Sequence, residues 1–260
     1  EDGAEFMTIT ALFNSETDEP QKTPITFVLR HNLLVTVRYA DPKPFRLFER
    51  LVSRPTNNVY TSGEKVMLGL IEAIIDRLAQ LLETTGDEID QISREVFRNK
   101  TRNVTRKARD LQEIIERIGK KGDVLTLARE SLVSIARLSS FHQTYDNGNA
   151  KTARELRQEL KVLQRDAAAL SDHAAFLSSK INFLLDATLG LINLEQNQII
   201  KIFSVAAVVF LPPTLVASAY GMNFDVMPEL HLPFGYPLAI VLMIISAVLP
   251  YLFFKRKGWL

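Results

Sequence analysis

IFSVAAVVFLPPTLVASAY, residues 202–220, decides the architecture of this 260-residue chain. It holds about 20 uncharged, largely apolar residues, enough to cross a hydrocarbon core as a helix. A second such run, GYPLAIVLMIISAVLPYLFF, covers residues 235–254. No Lys or Arg occurs from Ile202 to Phe254, and the only acids there are Asp225 and Glu229. Lys201 precedes the first run and Lys255-Arg256-Lys257 follow the second, while the connecting loop carries Asp225, Glu229 and His231 but no basic side chain. Cationic flanks stay on the cytoplasmic side, so this pattern predicts two spans with both termini cytoplasmic and the loop outside. Pro212-Pro213 removes backbone donors in mid-span, which predicts a bend.

Working outward, the chain before residue 202 is highly charged. The whole has 31 Lys+Arg against 30 Asp+Glu, a formal net charge of +1, so nothing marks it as a nucleic-acid binder. It has no cysteine, which excludes disulfides and thiolate zinc sites. The first residue is Glu1, and we read the chain as an N-terminally incomplete copy of something longer.

Leu156, Leu160, Leu163, Ala167, Leu170, Ala174, Leu177, Ile181, Leu184, Thr188 and Leu191 alternate steps of four and three, a heptad seam typical of coiled-coil or bundle helices. No break separates it from Ile202, predicting one helix of about 70 residues and about 105 Å. From about Gly63 to Gly119 the apolar residues also keep helical spacing (Val66, Leu70, Ile74, Leu78, Leu81, Ile92, Val96, Leu111, Ile114, Ile118), with Gly86 a candidate interruption. Gly119-Lys120-Lys121-Gly122-Asp123 reads as a turn before a helix from about Val124 to Tyr145, which Asp146-Asn147-Gly148-Asn149 should end.

At the N-terminus, residues 6–13 are rich in β-formers and a polar loop follows from Asn14 to Pro24. Residues 25–29 and 33–39 flank Arg30-His31-Asn32 as a hairpin. A hairpin is not stable alone, so its partner strands are expected in sequence preceding Glu1. Phe45 to Val52 fits a short helix. The fold class is thus mainly α with a partial N-terminal α/β domain. Three regions follow: 1–53 (partial cytosolic α/β), 54–200 (long helices) and 201–260 (two-span membrane domain, external loop 221–234).

Enzyme signatures are absent. His31, His142, His173 and His231 are dispersed without zinc-ligand spacing. Neither a phosphate-binding Gly loop nor a nucleophile elbow occurs. Asp172-His173 and the basic run Arg98, Lys100, Arg102, Arg106, Lys107, Arg109 read as solvated helix faces. The informative feature is a stripe at the four-three step: Asn193, Asn197, Ile200, Ser204, Ala207, Leu211, Thr214 and Ser218. Small and hydroxyl side chains on one face suit helix-helix packing in a membrane. A polar pore lining suits the same residues, and sequence physics leaves the two open.

The first span ends in Tyr220-Gly221-Met222-Asn223-Phe224, followed by Met227-Pro228-Glu229-Leu230. With Pro212-Pro213-Thr214-Leu215, Phe234-Gly235-Tyr236-Pro237 and the basic tail, this closely resembles the CorA magnesium transporter family, densely from about residue 182 to 260. The resemblance implies a homopentameric cytosolic funnel, with a stalk helix continuing into a pore lined by the first span. It implies a selectivity ring at Gly221, Met222 and Asn223, with Gly221 and Asn223 meeting hydrated Mg²⁺. Pore lining would be Asn197, Ile200, Phe203, Ser204, Ala207, Leu211, Thr214 and Ser218, and Asp225 and Glu229 would concentrate cations at the mouth. The implied activity is passive, potential-driven transport of Mg²⁺, with Co²⁺ or Ni²⁺ as further cargo, in a bacterial inner membrane. Mg²⁺ is substrate and cytosolic regulator, with no tightly bound cofactor. Asp166, Asp172 and Asp186 are candidate regulatory carboxylates, with solvated surface acids the plainer reading. A zinc-transporting relative and a non-transporting coiled-coil scaffold are the competing readings.

Overall fold

The computed structural model describes residues 3–15, 17, 19–53, 59–98, 104–145, 152–222, 227–228 and 233–258. In chain order these form β1 (Ala4–Phe13), β2 (Gln21–Arg30), β3 (Leu33–Arg38), α1 (Lys43–Val52), α2 (Gly63–Arg98), α3 (Val104–Tyr145), α4 (Thr152–Tyr220) and α5 (Gly235–Arg256). Two compact units result, Glu1–Thr188 and Leu189–Leu260.

In the first unit the strands form an antiparallel sheet in the order β1-β2-β3. Its register pairs Met7 with Phe27 and Ile9 with Ile25, then Phe27 with Thr36 and Ile25 with Arg38. Alternation along β1 and β2 puts Met7, Ile9, Ala11, Ile25, Phe27 and Leu29 into the core. The hairpin turn at His31 uses a left-handed backbone (φ 53°).

Within this chain β1 flanks the β2–β3 hairpin. β1 itself pairs with β2, and its free side meets α3, where Thr10 N–H donates to Ser134 Oγ (2.9 Å) and Leu12 N–H to Ser131 Oγ (3.2 Å). These serine side chains satisfy two backbone N–H groups of β1. The loop expected from Asn14 to Pro24 is shorter, because β2 begins at Gln21. Pro24 is tolerated in the central strand because β3 covers only Ile25–Arg30.

α1 begins with Pro42 at its N-cap and buries Phe45 and Phe48. Phe48 meets Tyr60 edge-on at 4.9 Å, and both rings lie over Gly69 of α2. The α2 N-terminus is capped twice: Gly63 N–H donates to Asn32 Oδ1 (3.0 Å) and Lys65 N–H to Ser62 Oγ (3.2 Å).

Two helix boundaries correct the sequence reading. Gly86 does not interrupt α2, which is described to Arg98, and residues 99–103 lie outside the described residues. The expected turn at residues 119–123 is helical, and α3 runs unbroken for 42 residues. Glycine costs about 1 kcal/mol in a helix interior. The apolar face that continues through Leu111, Ile114, Ile118, Val124, Leu125, Ala128 and Leu132, all buried, outweighs that cost. The proposed stop at residues 146–149 lies outside the described residues.

α2 and α3 run antiparallel, tied by Glu95–Arg117 and Glu88–Lys121 ion pairs. α4 joins them through Lys180–Asp90, a Gln164–Ser140 hydrogen bond (3.0 Å) and stacking of Phe97 with Phe183. The heptad seam is buried at Leu156, Leu160, Leu163, Ala167, Ala174, Leu177, Ile181, Leu184 and Thr188. Leu170 and Leu191 are half-covered. As the unbroken pattern predicts, seam and first apolar segment are one helix of 69 residues.

Candidate functional site

The second unit consists of the end of α4 and α5. Both helices are long and apolar enough to cross a membrane. Along α4, Val205 is buried, with Val209, Pro212, Val216 and Tyr220 partly covered. On α5 the sheltered positions are Ala239, Met243, Ser246, Pro250 and Phe254. Both sets follow steps of three and four, so each helix turns one face inward.

The sequence stripe lies opposite. Asn193, Asn197, Ile200, Ser204, Ala207, Leu211, Thr214 and Ser218 are all exposed, with Leu211 64% accessible. Phe203, also exposed, borders them. At 100° per residue, positions 207, 211, 214 and 218 fall within about 60° of one another, roughly opposite Val205. The stripe therefore does not pack against α5 within one chain.

Its chemistry is that of acceptors in an apolar sleeve. The Thr214 hydroxyl donates to the Phe210 carbonyl (2.7 Å), leaving oxygen lone pairs to receive hydrogen bonds. Asn193 and Asn197 add amide oxygens. Ile200, Phe203, Ala207 and Leu211 between them offer water nothing. The helix continues through Pro212-Pro213, where neither residue has an N–H for the carbonyls of Val208 and Val209.

α4 ends at Tyr220, and Gly221 N–H still bonds the Ala217 carbonyl at 2.9 Å. A Cβ at Gly221 would lie 3.2 Å from that oxygen, so the terminus is tight there. The negative end of the helix dipole sits at this point, beside exposed Gly221 and Met222. Asn223, Asp225, Glu229 and His231 lie outside the described residues.

In the first unit, Asp166, Asp172 and Asp186 are exposed on α4. Among the described residues no group of three or more His, Asp or Glu side chains is arranged to hold a metal ion. Exposed His173 stacks on Phe176 with ring centres 6.4 Å apart. Of the basic run, Lys100 and Arg102 lie outside the described residues, as do the side chains of Arg106, Lys107 and Arg109.

Two clusters escaped sequence reasoning. Glu72 stands near Asp76, Glu159 and Asp166, and burial first, then these charges, raise its carboxyl above the ordinary value. Buried His142 lies between Glu5 and Glu64. Neither has a local signature, because both assemble groups from distant segments.

Residues 1–256 match the family described as CorA-like Mg²⁺ transporter protein. The "Magnesium transport protein CorA" of Escherichia coli (strain K12) is 39% identical over 251 residues, covering 95% of this chain and 75% of that protein. The protein of that name from Pasteurella multocida is 38% identical over 245 residues, covering 94% and 74%. Among solved structures, the complete CorA magnesium transporter from Methanocaldococcus jannaschii aligns with a TM-score of 0.80 at 23% identity, over 100% of this chain and 78% of that one. The full-length CmaX protein aligns at 0.71 and 15% identity, over 98% and 75%. A match over nearly the whole chain, agreeing with relatives at 38% and 39% identity, establishes that the chain belongs to the CorA-like Mg²⁺ transporter family.

Proposed function

We propose that this chain is one subunit of a homopentameric Mg²⁺ channel in a bacterial inner membrane, with both termini cytoplasmic. The observation that carries the reading is the exposed stripe from Asn193 to Ser218, turned away from the face that α4 shelters. Rotational symmetry would bring five copies of that stripe around one axis.

Mg²⁺ releases water reluctantly and favours octahedral oxygen coordination. Rings of Gly221 carbonyl and Asn223 amide oxygens, with Met222 beside them, would accept hydrogen bonds from its hydration shell. A site that leaves the shell intact binds weakly enough to let the ion leave. Thr214 and Ser218 would receive the hydrated ion next, and Asn197 would form the cytosolic polar ring. Ile200, Phe203, Ala207 and Leu211 would close the path by dewetting. Asp225 and Glu229 would raise cation concentration at the mouth. An interior-negative potential supplies about 4.6 kcal/mol per 100 mV for a divalent ion, twice the single-charge figure. Cytosolic Mg²⁺ would act as the closing ligand.

The test is Mg²⁺ uptake into proteoliposomes containing an indicator, under an imposed potential, with Asn223→Ala alongside and Co²⁺, Ni²⁺ and Zn²⁺ as competitors. Potential-dependent uptake that is lost in the variant supports a selective pore. Signals equal to empty liposomes for both proteins would remove the transport reading and leave a membrane-anchored scaffold. Preferential Zn²⁺ flux would reassign the cargo.

A further inference from the structure

We propose that Glu5, His142 and Glu64 form a proton-dependent clasp, holding β1 and the first turn of α2 to the last turn of α3 and releasing that hold as pH rises. His142 is 3% exposed. Its Nδ1 lies 2.9 Å from Glu5 Oε2 and its Nε2 lies 2.8 Å from Glu64 Oε1. The partners stand 137 and 78 positions away in sequence, so the contact joins three elements.

The geometry counts the protons. An ionised carboxylate only accepts, and a neutral imidazole has a single N–H. Two ring nitrogens facing two carboxylates therefore require one proton more than neutral histidine plus two carboxylates provide. With imidazolium between them, both contacts are charge-assisted hydrogen bonds. Without that proton, a nitrogen lone pair faces a carboxylate in a part-buried site, which is repulsive.

The surrounding groups leave the proton on the ring. From β1 the facing charge is Glu5 and from α2 it is Glu64; α3 presents uncharged Leu138 and Ser139 one turn back. α4 reaches this end of α3 through the uncharged amide of Gln164. The C-terminal end of α3 also favours a cation. Burial alone pulls the imidazole down, but the hydrogen bonds and charges of Glu64 and Glu5 outweigh it and hold His142 above its ordinary value. The sign follows from linkage. The stabilisation is complete below the ordinary histidine value of about 6.5 and is lost as pH rises through the higher folded value.

The experiment uses the full chain in lipid nanodiscs with ¹³C-labelled histidine, His142→Gln assigning the resonance. The expected result is a His142 midpoint above the ordinary histidine value of about 6.5, moved down by Glu5→Gln and by Glu64→Gln. Thermal scans with pH rising from about 6 should show a loss of Tm that flattens in His142→Gln. A His142 midpoint at or below about 6.5, or one unmoved by both glutamate variants, overturns the clasp. The titration needs no transport activity, so its outcome is independent of the channel reading.

Discussion

Gly69 shows how much one missing methyl matters. A Cβ there would lie 2.5 Å from Tyr60 Cε1 and 2.6 Å from Phe48 Cε2, with both rings already in contact. Phe48 is buried, so its ring cannot swing away without opening the packing of α1. Gly69→Ala should therefore cost about 1–3 kcal/mol, the usual penalty of overpacking, and chemical or thermal unfolding would register it. Nothing in the sequence singles this glycine out, because its constraint comes from rings 21 and 9 positions earlier in the chain. The stripe from Asn193 to Ser218 is the opposite case. Its identity follows from spacing alone, and the structure adds only that every member is exposed.

Among the elements, α3 gives the clearest lesson. Glycine spacing in Gly119-Lys120-Lys121-Gly122 has the local signature of a turn, yet neither glycine has a positive φ and both are helical. The apolar period on either side keeps one phase through the segment, and packing that phase decides the outcome. A Cβ at Gly119 or Gly122 would meet nothing within 4 Å. Gly119→Ala and Gly122→Ala should each stabilise the fold by about 0.5–1 kcal/mol, read as a raised unfolding midpoint. If these positions formed a turn needing glycine, the same substitutions would lower it. β1 is the companion case: its edge partners are serines on α3, more than 110 positions later, and no strand pattern could announce them.

At the scale of the whole molecule, two sets of ion pairs join distant segments and respond to pH in opposite senses. Glu95 is held below the ordinary carboxylate range by its hydrogen bond to Arg117, and Asp90 by its hydrogen bond to Lys180. A lowered carboxyl stabilises the fold above its unfolded value, and that stability is lost as pH falls through the folded value. The His142 clasp runs the other way, so the stability of the first unit should pass through a maximum between the two limbs. Arg117→Leu should flatten the acid limb of Tm against pH while leaving the limb at higher pH in place. Equal acid sensitivity in variant and wild type would mean that other carboxyls set it.

The sequence by itself determined the two membrane helices, the continuity of the heptad seam with the first of them, the stripe on that helix and the family. Each depends on periodicity, charge exclusion or a short motif, all properties of residues close together in the chain. Tertiary structure alone decided that α2 runs through Gly86, that α3 runs through its glycines, that β1 bonds serines of α3, and that His142 sits between two glutamates. These depend on which distant segments meet, where burial of a continuous apolar face outweighs a local cost of about 1 kcal/mol per glycine.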